Sequence, residues 1–278
     1  MKKRVGLIGY PLGHSISPVF QQAALDHLGI DAEYELWSTV PEDVEDAVDG
    51  LRTADTLGCN VTVPYKETVL PFLDDVDGLC EQIGACNTIV NREGRLAGYN
   101  TDAEGFMNAL RRDGGFDPSA KKVVILGSGG VARAAGFALV NAEVASITLA
   151  YEIEDQAEKL ASSLRDAGGS VITCKSHDAT VAVSGCDLLV NCTPFGMKGS
   201  PLEGKSLIDS GDIPEGIVVY DVVYNPIKTQ LLMNAEAAGA GTIAGLAMLV
   251  YQGAAAFELW TGEIAPLDVM LKAARGAL

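Results

Sequence analysis

Lys121–Glu152 reads KKVVILGSGGVARAAGFALVNAEVASITLAYE, and this stretch decides the fold. The apolar run Val123–Leu126 passes straight into Gly127, Gly129 and Gly130, then into the alanine-rich Val131–Val140, and on to a second apolar run at Ile147–Tyr151. A short apolar run closed by glycine, a small-residue helix and another short apolar run predict a βαβ unit. Within it Gly127-Ser128-Gly129-Gly130-Val131-Ala132 fits the GxGxxA form of a dinucleotide-binding turn. Gly127 makes the tight turn, Gly129 lets backbone approach a pyrophosphate, and Ala132 allows close helix–strand packing. The backbone N–H groups at the helix start would hold the phosphates. Glu152 closes the second strand 25 positions after Gly127, near the spacing of about 20 at which an acidic side chain accepts a ribose hydroxyl.

Downstream, EDQAEKLASSLRDAGG has amphipathic helical spacing, SVITC, GCDLLVNCTP and GIVVYDVVYNP read as strands, and the chain reads as helical from TQLLMNAEAAGA onward. This predicts a doubly wound parallel sheet over 103–241. Upstream, RVGLIGY, AEYELWSTV and LGCNVTVP read as strands, with helices at SISPVFQQAALDHLG and PEDVEDAVDGLRTA between them. KETVLPFLDDVDGLCEQIG suggests short helices, NREG separates two further strand-like runs, and AEGFMNALRRDGG reads as a helix. The expected class is α/β, with an N-terminal α/β domain over 1–102 and a Rossmann-like second domain. The long apolar helix GLAMLVYQGAAAFELWTG follows the second domain, so 242–278 is expected to return to the first.

The 278 residues are 48% hydrophobic, which excludes disorder, and suit two domains with sizeable cores. A formal charge of −17 argues against a nucleic-acid or anionic-membrane surface and for a small-molecule partner. The six cysteines form no CxxC pair and read as buried free thiols, and the three histidines show no ligand spacing, so no metal is expected. No apolar run reaches membrane-spanning length, and the opening run before Pro11 is too short for a signal peptide, which predicts a cytoplasmic protein, monomer or homodimer.

In the first domain, polar clusters end apolar runs, where α/β sheets place ligands. In Gly13-His14-Ser15-Ile16-Ser17-Pro18, Ser17 can cap the following helix, or two hydroxyls beside a helix N-terminus can bind a carboxylate. In NVTVPYK, Asn60 and Thr62 share a strand face, and Lys66 follows as either a solvated charge or a functional cation. Asn87 precedes a strand, and Asn100-Thr101-Asp102 ends one, with Asp102 placed to cap the next helix.

Taken together, GYPLGHSISP, NVTVPYK, IGACNTIV, GYNTD, GSGGVARA, NCTPFGM, VYNP and GLAMLVYQGAAAFELWTG resemble the shikimate dehydrogenase family over nearly the whole chain. The resemblance implies a substrate domain, an NAD(P)-binding domain, a cleft where they meet, and reversible hydride transfer between a nicotinamide and C3 of shikimate or 3-dehydroshikimate. It implies that Lys66 exchanges the proton of the reacting hydroxyl and that Asp102 orients substrate and lysine. A protonated lysine suits this task because it can stabilise a developing alkoxide and then supply its proton. Ser15 and Ser17 resemble the hydroxyls that bind the carboxylate; Asn60, Thr62, Asn87 and Gln252 resemble partners of the ring hydroxyls; Tyr224 resembles a cleft wall. Thr193, in NCTPFGM, joins the glycine-rich turn as a cofactor residue.

Two departures from the family pattern matter. NADP-dependent members carry Asn-Arg-Thr after the second nucleotide-domain strand, where this chain has Tyr151-Glu152-Ile153. An acid in place of the cation favours NAD over NADP, unless Arg133 or a cation from elsewhere meets the phosphate. SPVFQQAAL also lacks the family's Asn or His-Asn, which touches substrate identity. Quinate-using relatives have Thr where Ser17 stands, so shikimate is favoured over an NAD-dependent quinate/shikimate or aminoshikimate activity. A non-catalytic metabolite sensor would have lost Lys66 or Asp102, and both are present.

Overall fold

The computed structural model describes residues 2–13 and 15–278; His14, part of the Ser15–Ser17 cluster in the sequence, lies outside the described residues. The VVIL run forms β7 (Lys122–Leu126), whose four apolar residues are all buried, as a central parallel strand requires. It enters α5 (Gly130–Asn141) and then β8 (Ser146–Tyr151). Six further elements complete this part of the chain: α6 (Glu154–Asp166), β9 (Val171–Lys175), α7 (Ala179–Val183), β10 (Leu188–Asn191), β11 (Val218–Asp221) and α8 (Gln230–Ala237). A last strand, β12 (Gly241–Ala244), closes a sheet ordered β12-β11-β10-β7-β8-β9, every pair parallel. The strand order reverses beside β7, at the C-terminal end of which the glycine-rich turn lies. β12 corrects the reading of this region as wholly helical. Gly239, at φ 76°, ends α8 in the left-handed region, and the four-residue GTIA strand, with Ile243 its one buried side chain, is too short to show a period of two.

Unit one runs through Gly105 and resumes at Val250–Ala277; unit two is Phe106–Leu249. Unit one contains β1 (Lys3–Gly9), α1 (Ser17–His27), β2 (Ala32–Ser38), α2 (Val44–Asp49), β3 (Thr56–Val61), β4 (Asp75–Val76), α3 (Gly78–Ile83), β5 (Thr88–Arg92) and β6 (Arg95–Tyr99). The division falls inside α4 (Thr101–Asn108) and α9 (Gly245–Thr261), a few residues beyond the sequence-based boundaries, because helical periodicity continues across each change of unit. α10 (Leu267–Gly276) packs on α1 and buries Met270 and Ala274.

The first sheet, ordered β2-β1-β3-β5-β6-β4, is mixed: β1 pairs in parallel with β2 and β3, while β5 runs antiparallel to β3 and β6. The β5–β6 hairpin turns through Glu93 (φ 57°) and Gly94 (φ 88°), a two-residue loop of the kind that matches strand twist. The two-residue β4 interrupts a stretch read as helical, because Asp75 and Val76 pair with Ala97 and Gly98. One face of this sheet is sealed by Ile8, Val48, Cys59, Val61, Val69, Ile89 and Leu96. That buried face fixes the register, and with it the direction in which Asn60 and Asn87 leave the ends of their strands.

Candidate active site

β3 ends at Val61, and the chain then turns through Thr62–Tyr65, with the Tyr65 amide donating to the Thr62 carbonyl at 3.0 Å and a cis peptide at Val63–Pro64. The Tyr65 hydroxyl donates to the Thr39 carbonyl at 2.6 Å, and the Cys86 amide donates to the Lys66 carbonyl at 2.7 Å. Lys66 is thereby held on both sides. Its Nζ lies 2.5 Å from Asp102 Oδ2, with side-chain exposures of 15% and 9% for the two partners. Lys66 is therefore one half of a largely dehydrated ion pair, which removes the solvated-charge alternative.

Asp102 is not a helix cap. It is the second residue of α4, and Asn100 Oδ1 accepts from the Ala103 amide at 3.3 Å instead. The carboxylate is free for other work: Oδ2 takes Lys66, and Oδ1 accepts from Asn87 Nδ2 at 2.9 Å. Asn87 is the hub of this cluster. Its Nδ2 also lies 2.9 Å from Thr101 Oγ1 and 3.3 Å from Gln252 Oε1, and its Oδ1 accepts from the Thr101 amide at 2.7 Å. Asn60, on β3, donates from Nδ2 to the Asn87 carbonyl (3.2 Å) and to Thr88 Oγ1 (3.1 Å). Both amide protons of Asn60 are spent inside the protein, so toward a ligand it can offer only its carbonyl oxygen. Thr88 and Thr101, both fully or nearly buried, are members of this network that the strand pattern alone does not distinguish from ordinary core threonines.

Ser17 is not a cap either. α1 begins at Ser17 with Ile16 at the N-cap position and no side-chain cap; the Ser17 amide donates to Ser15 Oγ at 3.3 Å. Ser17 is buried, and Ser15 half-buried. Gln21, one turn on, donates from Nε2 to the Gly253 carbonyl at 2.9 Å. Gly253 has no room for a side chain, since a Cβ there would lie 3.0 Å from Gln21 Nε2 and closer to the Phe20 ring. The altered SPVFQQAAL helix thus pins the segment of α9 that carries Gln252. Thr62, whose amide donates to the Ile8 carbonyl, packs over Gly9. Lys66, Asp102, Asn60, Asn87 and Gln252 are joined directly within unit one, with Ser15, Ser17 and Thr62 at the ends of α1 and β3; Tyr224 belongs to unit two, after β11.

The second site is built on α5. Gly127 has φ 100°, and a Cβ there would lie 3.0 Å from Thr193 Cγ2 and 3.2 Å from the Cys192 carbonyl, so the turn admits only glycine. At Gly129, the exposed N-cap of α5, nothing stands within 4 Å of such a Cβ, and no side chain caps the helix. Open space, free amides and the positive helix end fit a pyrophosphate. Ala132 is buried, and Gly136 fits against Leu164 of α6, as close helix packing requires. Ser128, Gly130 and Val131 follow at the same helix entrance. Glu152 is exposed just past β8, and Lys175, also exposed, ends β9 in register with Tyr151. The Arg133 guanidinium stacks 5.6 Å over the Phe137 ring of its own helix. Thr193 donates from Oγ1 to Asn191 Oδ1 at 2.6 Å, and Asn191 donates to Asp221 Oδ1 at 2.8 Å. Asp221 also accepts from Thr229 Oγ1 and the Val223 amide, yet burial pushes its carboxyl up to about 6. Among the described residues, no cluster of histidine, cysteine and carboxylate side chains could hold a metal, and no helix is long and apolar enough to cross a membrane.

A parallel sheet in the 3-2-1-4-5-6 order with a glycine-rich turn at its first strand, joined to a unit carrying a buried lysine–aspartate pair, defines a pyridine-nucleotide-dependent oxidoreductase acting on a CH–OH group. The profile described as "Shikimate dehydrogenase substrate binding domain" matches residues 7–89, and that described as "Shikimate 5'-dehydrogenase C-terminal domain" matches 245–275. A shikimate dehydrogenase (NADP(+)) of Methanopyrus kandleri is 44% identical over 97% of this chain and 93% of its own length. The shikimate 5-dehydrogenase of Thermus thermophilus, solved with NADP(H) and shikimate, superposes with a TM-score of 0.88 at 36% identity, covering 99% of this chain and 100% of that one. The quinate dehydrogenase of Corynebacterium glutamicum, solved with NAD, gives 0.90 at 31% identity, covering 98% of each. The chain belongs to the shikimate dehydrogenase family.

Proposed function

We propose that this protein interconverts shikimate and 3-dehydroshikimate in aromatic biosynthesis, with NAD as the preferred cofactor. The observation that carries the reading is the Lys66–Asp102 contact, dehydrated, locked by Asn87 and flanked by Gln252. In the reducing direction the Lys66 ammonium stabilises charge developing on the C3 oxygen and delivers its proton there; in the oxidising direction it takes that proton back. Asp102 holds Lys66 and receives a substrate hydroxyl, while Asn87 and Gln252 fix the neighbouring hydroxyls and Asn60 offers its carbonyl. Ser15 and Ser17 receive the carboxylate, Thr62 joins the partners of the ring hydroxyls, and Tyr224 contributes a wall. The bound nicotinamide supplies or accepts the hydride. Gly127–Ala132 and Thr193 would hold the dinucleotide, so that unit one serves the substrate and unit two the cofactor. Free thiols at all six cysteines suit a reducing cytoplasm.

Support for NAD comes from Glu152, whose carboxylate suits a ribose diol and repels a 2′-phosphate. A second reading rests on Lys175: beside Tyr151 in the sheet register, it is a cation within reach of the same strand end, and the relative from M. kandleri carries NADP(+) in its name. The deciding experiment crosses shikimate and quinate with NAD and NADP and follows absorbance of the reduced nicotinamide. The expected result is the highest kcat/KM for shikimate with NAD. No turnover with either acid would remove the enzymatic reading, and a tenfold preference for NADP would overturn the reading of Glu152 and leave the phosphate to a cation such as Lys175 or Arg133.

A further inference from the structure

Tyr34, at the third position of β2, is 5% exposed, and nothing in the apolar filling of this region requires more than its ring. The ring lies against Trp260, centroids 6.3 Å apart and planes tilted by 53°; Trp260 in turn donates to the Ile89 carbonyl. The Tyr34 amide donates to Gln22 Oε1, which ties the residue to α1. Phenylalanine would make all of these contacts. The hydroxyl is therefore present for its own partner, because a buried O–H is costly unless paired.

The partner is a residue that the proposed function puts against substrate: the Tyr34 hydroxyl donates to Asn60 Oδ1 at 2.9 Å. The direction follows by elimination. The Asn87 carbonyl can only accept, so Asn60 must turn Nδ2 toward it and Oδ1 toward Tyr34, whose single proton it receives. From there the bonds continue through Asn60 Nδ2 to Thr88 Oγ1, from Thr88 to Asn87 Oδ1, and from Asn87 Nδ2 to Asp102 Oδ1. One ordered chain of donors thus runs from Tyr34 on β2 to the carboxylate paired with Lys66.

We infer that Tyr34 is a positioning residue for substrate binding: through its hydroxyl it fixes the Asn60 amide before substrate arrives, without itself touching substrate. The inference rests on the reading of Asn60 as a substrate contact. Preorganised side chains spare the ligand the cost of ordering them, so loss of the hydroxyl acts on affinity rather than on the chemical step.

The test is Tyr34→Phe in the full-length enzyme, with Asn60→Ala and the double variant as a cycle. Tyr34→Phe is expected to raise the shikimate KM, and the shikimate Kd measured calorimetrically without cofactor, by about five- to tenfold, the scale of one hydrogen bond. kcat and the cofactor KM should stay within about twofold, and in the Asn60→Ala background the same change should have less than half its effect. An unchanged Kd with a lowered melting temperature would make the hydroxyl merely structural and overturn the inference, as would a fall in kcat at constant KM or full additivity with Asn60→Ala. If Asn60→Ala alone leaves KM unchanged, the substrate reading of Asn60 is what fails, whatever Tyr34→Phe does.

Discussion

Residue by residue, the active-site cluster divides labour more sharply than its sequence suggests. Serine before a helix and aspartate at its start both carry the signature of caps, and here neither caps: Ile16 and Asn100 occupy those places, freeing Ser17 and Asp102. The sequence offered both uses for each side chain because capping is a local pattern, whereas the partner that claims Asp102, Lys66, is brought close only by the tertiary fold. Lys66→Ala should lower kcat by about 100-fold or more, the scale of general acid–base catalysis, with a much smaller change in shikimate affinity. Steady-state rates beside a calorimetric Kd check this, and near-normal turnover would take Lys66 out of the reaction. Asp102→Asn should likewise cut kcat at least tenfold while the α4 cap, held by Asn100, survives. A variant whose only defect is a lower melting temperature would reduce Asp102 to a structural anchor.

At the level of elements, the glycine-rich turn was fully readable, since Gly127 and Ala132 answer to local sterics that any sequence must obey. β12 and β4 were not, because two to four residues pair only where a neighbouring strand already waits. If Glu152 is the ribose acceptor, the strand end at Tyr151-Glu152 sets cofactor choice: replacing both with Asn and Arg should then move the preference toward NADP, chiefly through cofactor KM, as a guanidinium can grip a phosphate through two parallel bonds. A double variant with the cofactor ratio of the parent would place the ribose elsewhere. The ends of β10, β11 and α8 are tied by Asp221, whose carboxyl is raised to about 6 from an ordinary value near 3.8. Because the folded state then binds the proton more tightly than the unfolded chain, this group's stabilisation is complete below about pH 4 and is lost as pH rises through about 6. Relative to Asp221→Asn, the protein should lose up to about 3 kcal/mol between those limits, measured as the difference in urea midpoints at pH 4.5 and pH 7. Parallel pH profiles for the two proteins would show that Asp221 carries no such linkage.

For the whole molecule, the sequence reading put the changeovers at 102/103 and 241/242, whereas in the structure α4 and α9 each continue from one unit into the other. If unit one serves substrate and unit two cofactor, shikimate alone should slow amide hydrogen exchange around 60–66, 87–102 and 250–260, and NAD alone around 127–135. Protection by either ligand in the other's set alone would reverse the assignment. The Trp260 bond to the Ile89 carbonyl has a further consequence, since its ends are 171 residues apart in the chain. At about 5–20 residues per second, a ribosome leaves that carbonyl without its indole for about 10 to 30 s, while all of 106–249 emerges. Unit two therefore has the time and the complete strand set to fold, while the first sheet, with all its strands made but the helices after Val250 still to come, waits as a nascent-chain client, open to chaperones, until those last helices arrive to cover it.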